Sequence, residues 1–375
     1  MNTLTTKVDG LNKTQITKGQ QIGVQVSAYK DGKKILDTFA GKMGKDDPRS
    51  VTSETLFLSF STTKGVAATA IHMLVDRGKL NYTDRVAKHW PAFGQNGKDR
   101  ITVEQALSHQ VGLHLWPESI ALDEPEDWEG MIRYVEGSKP AYPPGTSTGY
   151  HALTFGYIVA GIVQSVDGRH IKDFIREEIA EPLGVEDEMM LGLPRRFSAK
   201  AATIDHEEYA EAYKAVPIDS EMGKALPGHL WDCVNTPSFR GTYNPSTNGF
   251  FSARALARMY GALANGGAID GVRLVSPGRI SEMGRLVTDK LDVVMGIPRS
   301  KGLGFLLSGM GADAAYGSRV TCFGHSGAGG SFAYADPEVG LSIAVTLNKM
   351  VFMNEGEIGR ADVICDLIRK ELSAD

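Results

Sequence analysis

Hydrophobic and polar residues alternate in two stretches near the start of the chain, residues 23–29 and 34–40. This period is typical of β-strands that bury one face. The Asp31-Gly32 pair between them readily adopts positive φ, so the two stretches predict an antiparallel hairpin. Two further stretches, SFAYAD and GLSIAVTLN, predict strands on either side of Pro337, and AIDGVRLV predicts another hairpin. Strands are therefore expected near both ends of the chain.

Hydrophobic residues elsewhere recur at spacings of three and four, as in amphipathic helices. A strand-like segment, TLFLSF, runs directly into the helical pattern of STTKGVAATAIHMLVDRG, where Gly78 supplies a stop signal. From residue 81 to 231 the chain is rich in helices and loops. The other helices that the pattern predicts span residues 102–108, 127–136, 153–166, 171–179, 253–265 and 356–372.

The order of these elements indicates an α+β fold, in which an antiparallel sheet made by both ends of the chain is flanked by helices. The chain has 375 residues, which exceeds the roughly 250–300 residues at which single hydrophobic cores stop growing. We therefore predict one α/β domain from residues 1–80 and 241–375. Residues 81–240 would form an inserted, mainly helical lobe, with the active site between the two.

Composition and charge exclude several classes of protein. Hydrophobic residues make up 42% and charged residues 23%, as in ordinary folded proteins. The formal net charge of -5, with both signs spread along the chain, gives no basic stripe for nucleic acid. No stretch approaches the roughly 18 apolar residues of a membrane span, and the polar N-terminus lacks a signal-peptide core. We expect a cytoplasmic protein that binds a small molecule, with no membrane partner.

The cysteines and histidines show no metal-binding spacing. Cys233, Cys322 and Cys365 are odd in number and far apart, which favours buried free thiols. His206 and the two glutamates after it lack a second histidine at metal spacing. We predict neither a metal nor a cofactor, and the oligomeric state stays open.

The strongest chemical signal is the S-x-x-K sequence of Ser61 and Lys64, where the strand-like segment meets the helix. Residues three apart on a helix share a face, with Cβ atoms roughly 5–6 Å apart, so the amine reaches the hydroxyl. A lysine whose pKa falls on burial can deprotonate a serine, and the helix N-terminus offers N–H groups to an oxyanion. The alternative is that Ser61 merely caps the helix while Lys64 is solvated.

A second S-x-x-K sequence begins at Ser27 and ends at Lys30. It lies in a predicted strand, where residues three apart point to opposite faces and cannot cooperate. Since about one chance match is expected in a chain of this length, context decides between the two. Context favours Ser61 as the nucleophile.

Two later segments carry further candidate chemistry. Tyr150 follows a loop and directly precedes an apolar helix, so its phenol can relay a proton beside an ammonium group, although packing is the alternative. His325-Ser326-Gly327-Ala328 belongs to a small-residue segment leading into a strand, whose edge can offer a second oxyanion donor. A plain glycine-rich turn is the rival interpretation. Ser326 is not a nucleophile-elbow serine, because Ala328 replaces the second glycine of G-x-S-x-G.

In this order, the S-x-x-K, the loop tyrosine and the His325-Ser326-Gly327 sequence at a strand start resemble the serine β-lactamase and penicillin-binding superfamily. ITVEQALSHQVGLHLWP and DPEVGLSIAVTLNKM are similar to segments of class C β-lactamases and their esterase relatives. The resemblance spans roughly residues 23–372 and implies a β-lactamase/transpeptidase-like fold.

The resemblance also implies roles for the candidate residues. Ser61 would be acylated, Lys64 and Tyr150 would share general-base and general-acid catalysis, and the N–H groups of Ser61 and Ala328 would form the oxyanion hole. His109 would stabilise the loop near the site, as would Gly112. Residues 115–126 and 205–240 are expected to shape the pocket entrance, where Trp116 and Trp231 either line an acyl pocket or belong to the core.

Two departures from the family pattern bear on the substrate. His325 stands where these enzymes usually carry the lysine of K-T-G, and Ala152 replaces the asparagine expected two residues after the tyrosine. Both missing groups help β-lactamases hold a carboxylated amide, so the resemblance implies poor β-lactam turnover. The Tyr150-His151-Ala152 sequence and the H-x-G of residues 325–327 are similar to those of the β-lactamase-like carboxylesterases of family VIII.

We therefore predict a serine hydrolase of the carboxylesterase type, which cleaves carboxylic esters through a Ser61 acyl-enzyme. An acyltransferase, a β-lactamase or a D-amino-acid peptidase or amidase of the same fold are alternatives. A non-catalytic, penicillin-binding-like binding protein is the alternative from a different class.

Overall fold

The computed structural model describes residues 3–118, 120, 122, 127–311, 319–352 and 359–373. Its centre is a seven-stranded sheet, in which every described strand pair is antiparallel. In spatial order its strands are β2 (Lys33–Gly41), β1 (Gly23–Lys30), β12 (Leu341–Leu347), β11 (Phe332–Asp336), β10 (Phe323–Ser326), β9 (Leu306–Gly311) and β8 (Arg299–Lys301). Both ends of the chain therefore build this sheet, as the strand pattern predicts.

Two smaller sheets accompany it. One contains β3 (Phe57–Leu58), β5 (Gly249–Phe251) and β4 (Met189–Leu191), in that order. The other is the hairpin predicted from AIDGVRLV, in which β6 (Ala268–Ile269) pairs with β7 (Val272–Arg273).

Fifteen α-helices occur in the described residues. They are α1 (Thr3–Thr17), α2 (Thr63–Asp76), α3 (Val86–His89), α4 (Val103–Leu107), α5 (Trp128–Gly137), α6 (Thr154–Asp167), α7 (Ile171–Ile175), α8 (Glu181–Leu183), α9 (Glu207–Tyr213), α10 (Glu221–Ala225), α11 (Leu230–Cys233), α12 (Pro237–Gly241), α13 (Ala253–Ala264), α14 (Pro277–Met283) and α15 (Arg360–Leu372). The predicted helices are confirmed, except that residues 171–179 divide into α7 and a π-helical turn. The predicted start of the last helix, residues 356–358, lies outside the described residues.

Helices cover both faces of the large sheet. α1 and α15 bury Leu4, Val8, Ile364 and Ile368 in one hydrophobic cluster together with residues of β1, β11 and β12. α13 packs against the other side of the same strands. The predicted α+β class is therefore confirmed.

The sequence pattern misses α1. Its buried positions follow the helical period, but two of them are the polar residues Asn12 and Gln15, beside Leu4 and Val8. Polar residues at inward positions remove the hydrophobic periodicity from which a helix is predicted. The N-terminal segment was expected to be only a polar start.

The helical middle of the chain shares its core with the rest. α2 packs against α6, and one cluster of buried residues contains Ile71 of α2 and Ile158 of α6. The division into two domains stays a prediction.

No helix in the described residues is long and apolar enough to cross a bilayer. The three cysteines are buried and form no disulfide, as predicted.

Candidate active site

Ser61 lies in a tight turn between a strand and a long helix. β3 ends at Leu58, a 3₁₀ turn spans Phe60–Thr62, and α2 begins only at Thr63. The predicted strand through residue 60 is therefore too long, and Ser61 precedes the helix rather than lying in its first turn. The reason is Phe60, whose φ of +46° is incompatible with an extended strand. Such a conformation at a non-glycine residue persists only where its surroundings fix it.

Lys64 is fully buried, and its amine faces Ser61. The Lys64 Nζ lies 3.0 Å from the Ser61 Oγ, and it donates to the carbonyl oxygens of Ala152 at 2.8 Å and Ser246 at 3.1 Å. Burial lowers the pKa of Lys64 well below its ordinary value. When the amine is neutral it has two N–H groups and one lone pair, so the two carbonyls then leave the lone pair for the Ser61 hydroxyl. The alternative of a solvated Lys64 is wrong.

Tyr150 lies in the loop before α6, four residues ahead of the helix. The Lys64 Nζ is 4.9 Å from the centroid of its ring, and the ring of His109 is 5.0 Å from it. The His109 Nδ1 accepts the N–H of His151 at 3.0 Å, and the His151 Nε2 accepts the N–H of Leu113 at 2.9 Å. Burial lowers the pKa of both histidines, so two neutral rings hold the Tyr150 loop.

A buried ion pair also holds this loop. Asp292 is fully buried, and its Oδ1 accepts the N–H groups of Tyr150, Val294 and Met295, each at 2.9 Å. Its Oδ2 accepts from the Lys301 Nζ at 2.5 Å, and neither side chain is more than 1% exposed. One carboxylate therefore joins the Tyr150 backbone to the end of β8.

His325 and Ser326 are the last two residues of β10, so the prediction that they lie at a strand start is wrong. The glycines after them form the turn into β11, where Gly330 has a φ of +90°. Among the described residues, β9 pairs only with the first two residues of β10, so no described strand pairs with the end of β10 on that side. A Cβ on Gly327 would lie 2.3 Å from the Ser59 carbonyl oxygen, so only glycine lets this end approach the Ser61 turn.

His325 is buried and has a fixed orientation. Its Nδ1 lies 2.7 Å from the carbonyl oxygen of Ser326, which can only accept, so Nδ1 carries the proton. Burial lowers the pKa of His325 well below its ordinary value. The residue at the place of the expected K-T-G lysine is therefore an uncharged ring.

The predicted site residues meet at one cavity of about 460 Å³. Ser61, Tyr150 and the segment 325–328 all line it, and Lys64 lies behind Ser61. Trp231 lines the same cavity, whereas Trp116 lines a separate, smaller one.

Sequence reasoning missed several groups at this site. The carbonyls of Ala152 and Ser246 hold Lys64, but backbone groups leave no side-chain signal. Asp292 and Lys301 are brought to Tyr150 only by the fold, since about 150 residues separate them from it in sequence. No spacing rule could have found them.

Comparisons with known proteins agree with this architecture. A family model described as Beta-lactamase matches residues 7–364. The relative named Esterase/beta-lactamase LipL, from Mycobacterium tuberculosis, is 33% identical over 345 residues, which cover 88% of this chain and 77% of the relative. A family VIII carboxylesterase structure has a TM-score of 0.88 at 30% identity, covering 98% of this chain and 97% of its own.

A penicillin-binding protein homologue from Caulobacter crescentus has a TM-score of 0.86 at 32% identity, covering 100% of this chain and 98% of its own. The predicted β-lactamase/transpeptidase-like fold is thereby confirmed. The chain belongs to the beta-lactamase family, and its relatives are esterase-like and beta-lactamase-like serine hydrolases.

Proposed function

We propose that the protein is a carboxylesterase that hydrolyses small carboxylic esters through an acyl-enzyme on Ser61. One observation carries the proposal: the buried amine of Lys64 lies 3.0 Å from the Ser61 Oγ while two carbonyls occupy its N–H groups. This arrangement supplies the base that a serine hydroxyl needs to become a nucleophile.

In the first half-reaction the Ser61 Oγ attacks the ester carbonyl carbon and its proton moves to Lys64. The N–H groups of Ser61 and Ala328 stabilise the resulting oxyanion. When the carbon–oxygen bond to the alcohol breaks, the alcohol oxygen takes the proton back from Lys64 through the Tyr150 phenol. Water then attacks the acyl-enzyme by the same route, which releases the acid and restores Ser61.

Esters fit this site better than β-lactams. At the place of the K-T-G lysine the neutral His325 offers no cation to a substrate carboxylate, although Arg299 and Arg360 line the same cavity. The side chain of Ala152 offers no amide. One relative is named for both activities, so β-lactam hydrolysis is the second candidate. Transfer to another acceptor and amide hydrolysis use the same acyl-enzyme.

The test compares the wild type with Ser61→Ala on p-nitrophenyl butyrate and on the chromogenic cephalosporin nitrocefin, with intact-protein mass spectrometry. The matched control is Ser27→Ala, which removes the serine of the second S-x-x-K sequence. We expect ester turnover and an acyl adduct that require Ser61 but not Ser27. Rapid nitrocefin turnover would favour the β-lactamase, and a folded wild type without turnover or adduct would favour the binding protein.

A further inference from the structure

The cavity beside Ser61 has two unlike walls. Part of its lining is polar and contains Ser61, Tyr150 and His325. A single segment, residues 209–231, contributes an apolar wall, whose side chains at the cavity are aromatic or aliphatic. They include Tyr209, Tyr213, Met222, Leu226, Leu230 and Trp231. One stretch of chain therefore supplies an apolar surface in the same cavity as the reacting groups.

Trp231 is the centre of this apolar wall. Tyr209 meets it edge-to-face with ring centroids 4.8 Å apart, and Tyr213 does the same at 5.3 Å. Phe60, the residue before the nucleophile, lies 6.2 Å from the Trp231 ring. These distances fall in the range of about 4.5–7 Å in which aromatic pairs stabilise a structure in addition to the apolar area that they bury. The ring cluster thus reaches the turn that carries Ser61.

The apolar wall is also uncharged. Burial raises the pKa of Tyr209 to about 12, so its phenol keeps its proton at neutral pH. Burial raises the pKa of Tyr213 as well, and its hydroxyl donates to the Leu226 carbonyl oxygen at 2.7 Å. The Tyr213 hydroxyl therefore forms its hydrogen bond within the segment. Among the described lining residues, the charged ones come from other elements, β8 and α15.

We propose that residues 209–231 bind an aromatic ring of the substrate, packed against Trp231 and the two tyrosines. This inference rests on the proposed ester hydrolysis and names its substrate class as esters that carry an uncharged aryl group. A cavity of about 460 Å³ lies within the range of roughly 300–1,000 Å³ that is typical of small-molecule sites. It therefore accommodates a bicyclic ring together with the ester.

The kinetic test uses three esters: trifluoroethyl acetate, trifluoroethyl 2-naphthylacetate and 2-naphthyl acetate. The second has the ring on the acyl half and the third on the alcohol half. Each kcat/KM, followed by pH-stat, is divided by the rate constant of alkaline hydrolysis. We expect at least one naphthyl ester to exceed trifluoroethyl acetate by roughly ten-fold, equivalent to about 1.4 kcal/mol.

Trp231→Leu should lower that preference about ten-fold, measured as the ratio of the two normalised kcat/KM values within the same variant, because the naphthyl ring loses the indole that it packs against. The matched control is Trp90→Leu. Trp90 is also buried and packs against Phe93 at 5.2 Å, but it does not line the cavity. The preference should survive in this variant. A wild type that favours neither naphthyl ester overturns the inference, as does an equal loss for all three esters in Trp231→Leu.

Binding without catalysis separates this inference from the proposed function. Ser61→Ala is titrated with 2-acetonaphthone, a neutral ketone, by calorimetry, with and without Trp231→Leu. Saturable binding that requires Trp231 supports the aryl pocket even if no ester is turned over. Ester turnover that requires Ser61, with no ketone binding and no naphthyl preference, leaves the proposed function standing and overturns the aryl pocket.

Discussion

Replacing Asp292 by asparagine should be among the most damaging isosteric changes near the site. Asparagine keeps an oxygen for the N–H groups of Tyr150, Val294 and Met295, but it removes the charge that faces the Lys301 Nζ at 2.5 Å. Lys301 is only 1% exposed, so water cannot take over that role. Removing one partner of a buried ion pair typically costs about 3–5 kcal/mol, and we expect a loss of this size in unfolding free energy.

The double variant Asp292→Asn/Lys301→Met removes both charges and should recover most of that stability, since neutral groups of similar volume often replace such pairs without loss. Urea unfolding followed by tryptophan fluorescence gives the free energies, and ester turnover per folded molecule gives the effect on Tyr150. Asp336→Asn is the control: it breaks a pair with Arg319, at the end of β11 away from the site. It should cost stability but not turnover. A loss below about 1 kcal/mol in Asp292→Asn, or no recovery in the double variant, would refute the reasoning.

Three further predictions concern the groups around Ser61. Because the pKa of Lys64 is lowered, kcat/KM should rise with pH through a pKa below the ordinary lysine value. Between that pKa and the ordinary lysine pKa, the unfolded chain binds a proton that the folded chain does not, so the free energy of unfolding should also rise with pH. Urea titrations of Lys64→Met at several pH values should not show this rise. Gly327→Ala brings a Cβ to 2.3 Å from the Ser59 carbonyl oxygen and should cost about 1–3 kcal/mol, with turnover lost on ester assay. His109→Leu removes the acceptor of the His151 N–H and should lower kcat about ten-fold while KM stays within two-fold, as steady-state kinetics would show.

The catalytic serine and lysine are predictable because their chemistry is local. Ser61 and Lys64 are three residues apart, and any helical or near-helical turn brings such side chains together. The same argument dismissed Ser27, which the structure places in β1. Alternation likewise found the strands at both ends, although β1, β11 and β12 bury almost every side chain because helices cover both faces of the sheet.

What the sequence could not predict depends on distant parts of the chain. The start of α2 was misplaced because the left-handed Phe60 is imposed by tertiary contacts, whereas the local pattern favours a longer strand. The pattern predicts the start of a strand at the residues that end β10, since glycines fit a turn on either side of a strand. Asp292 has no motif at all. Its role follows only from the neighbours that the fold gives it.

The pairing of β1 with β12 has a consequence during synthesis. β1 lies between β2 and β12, with Val24 opposite Leu347, so the hairpin of β1 and β2 lacks its second neighbour until β12 has left the ribosome. At roughly 5–20 residues per second that interval lasts on the order of tens of seconds. Throughout it, one edge of β1 is unpaired, and such edges are prone to aggregate. Slower translation or a smaller supply of chaperones should therefore lower the yield of active protein.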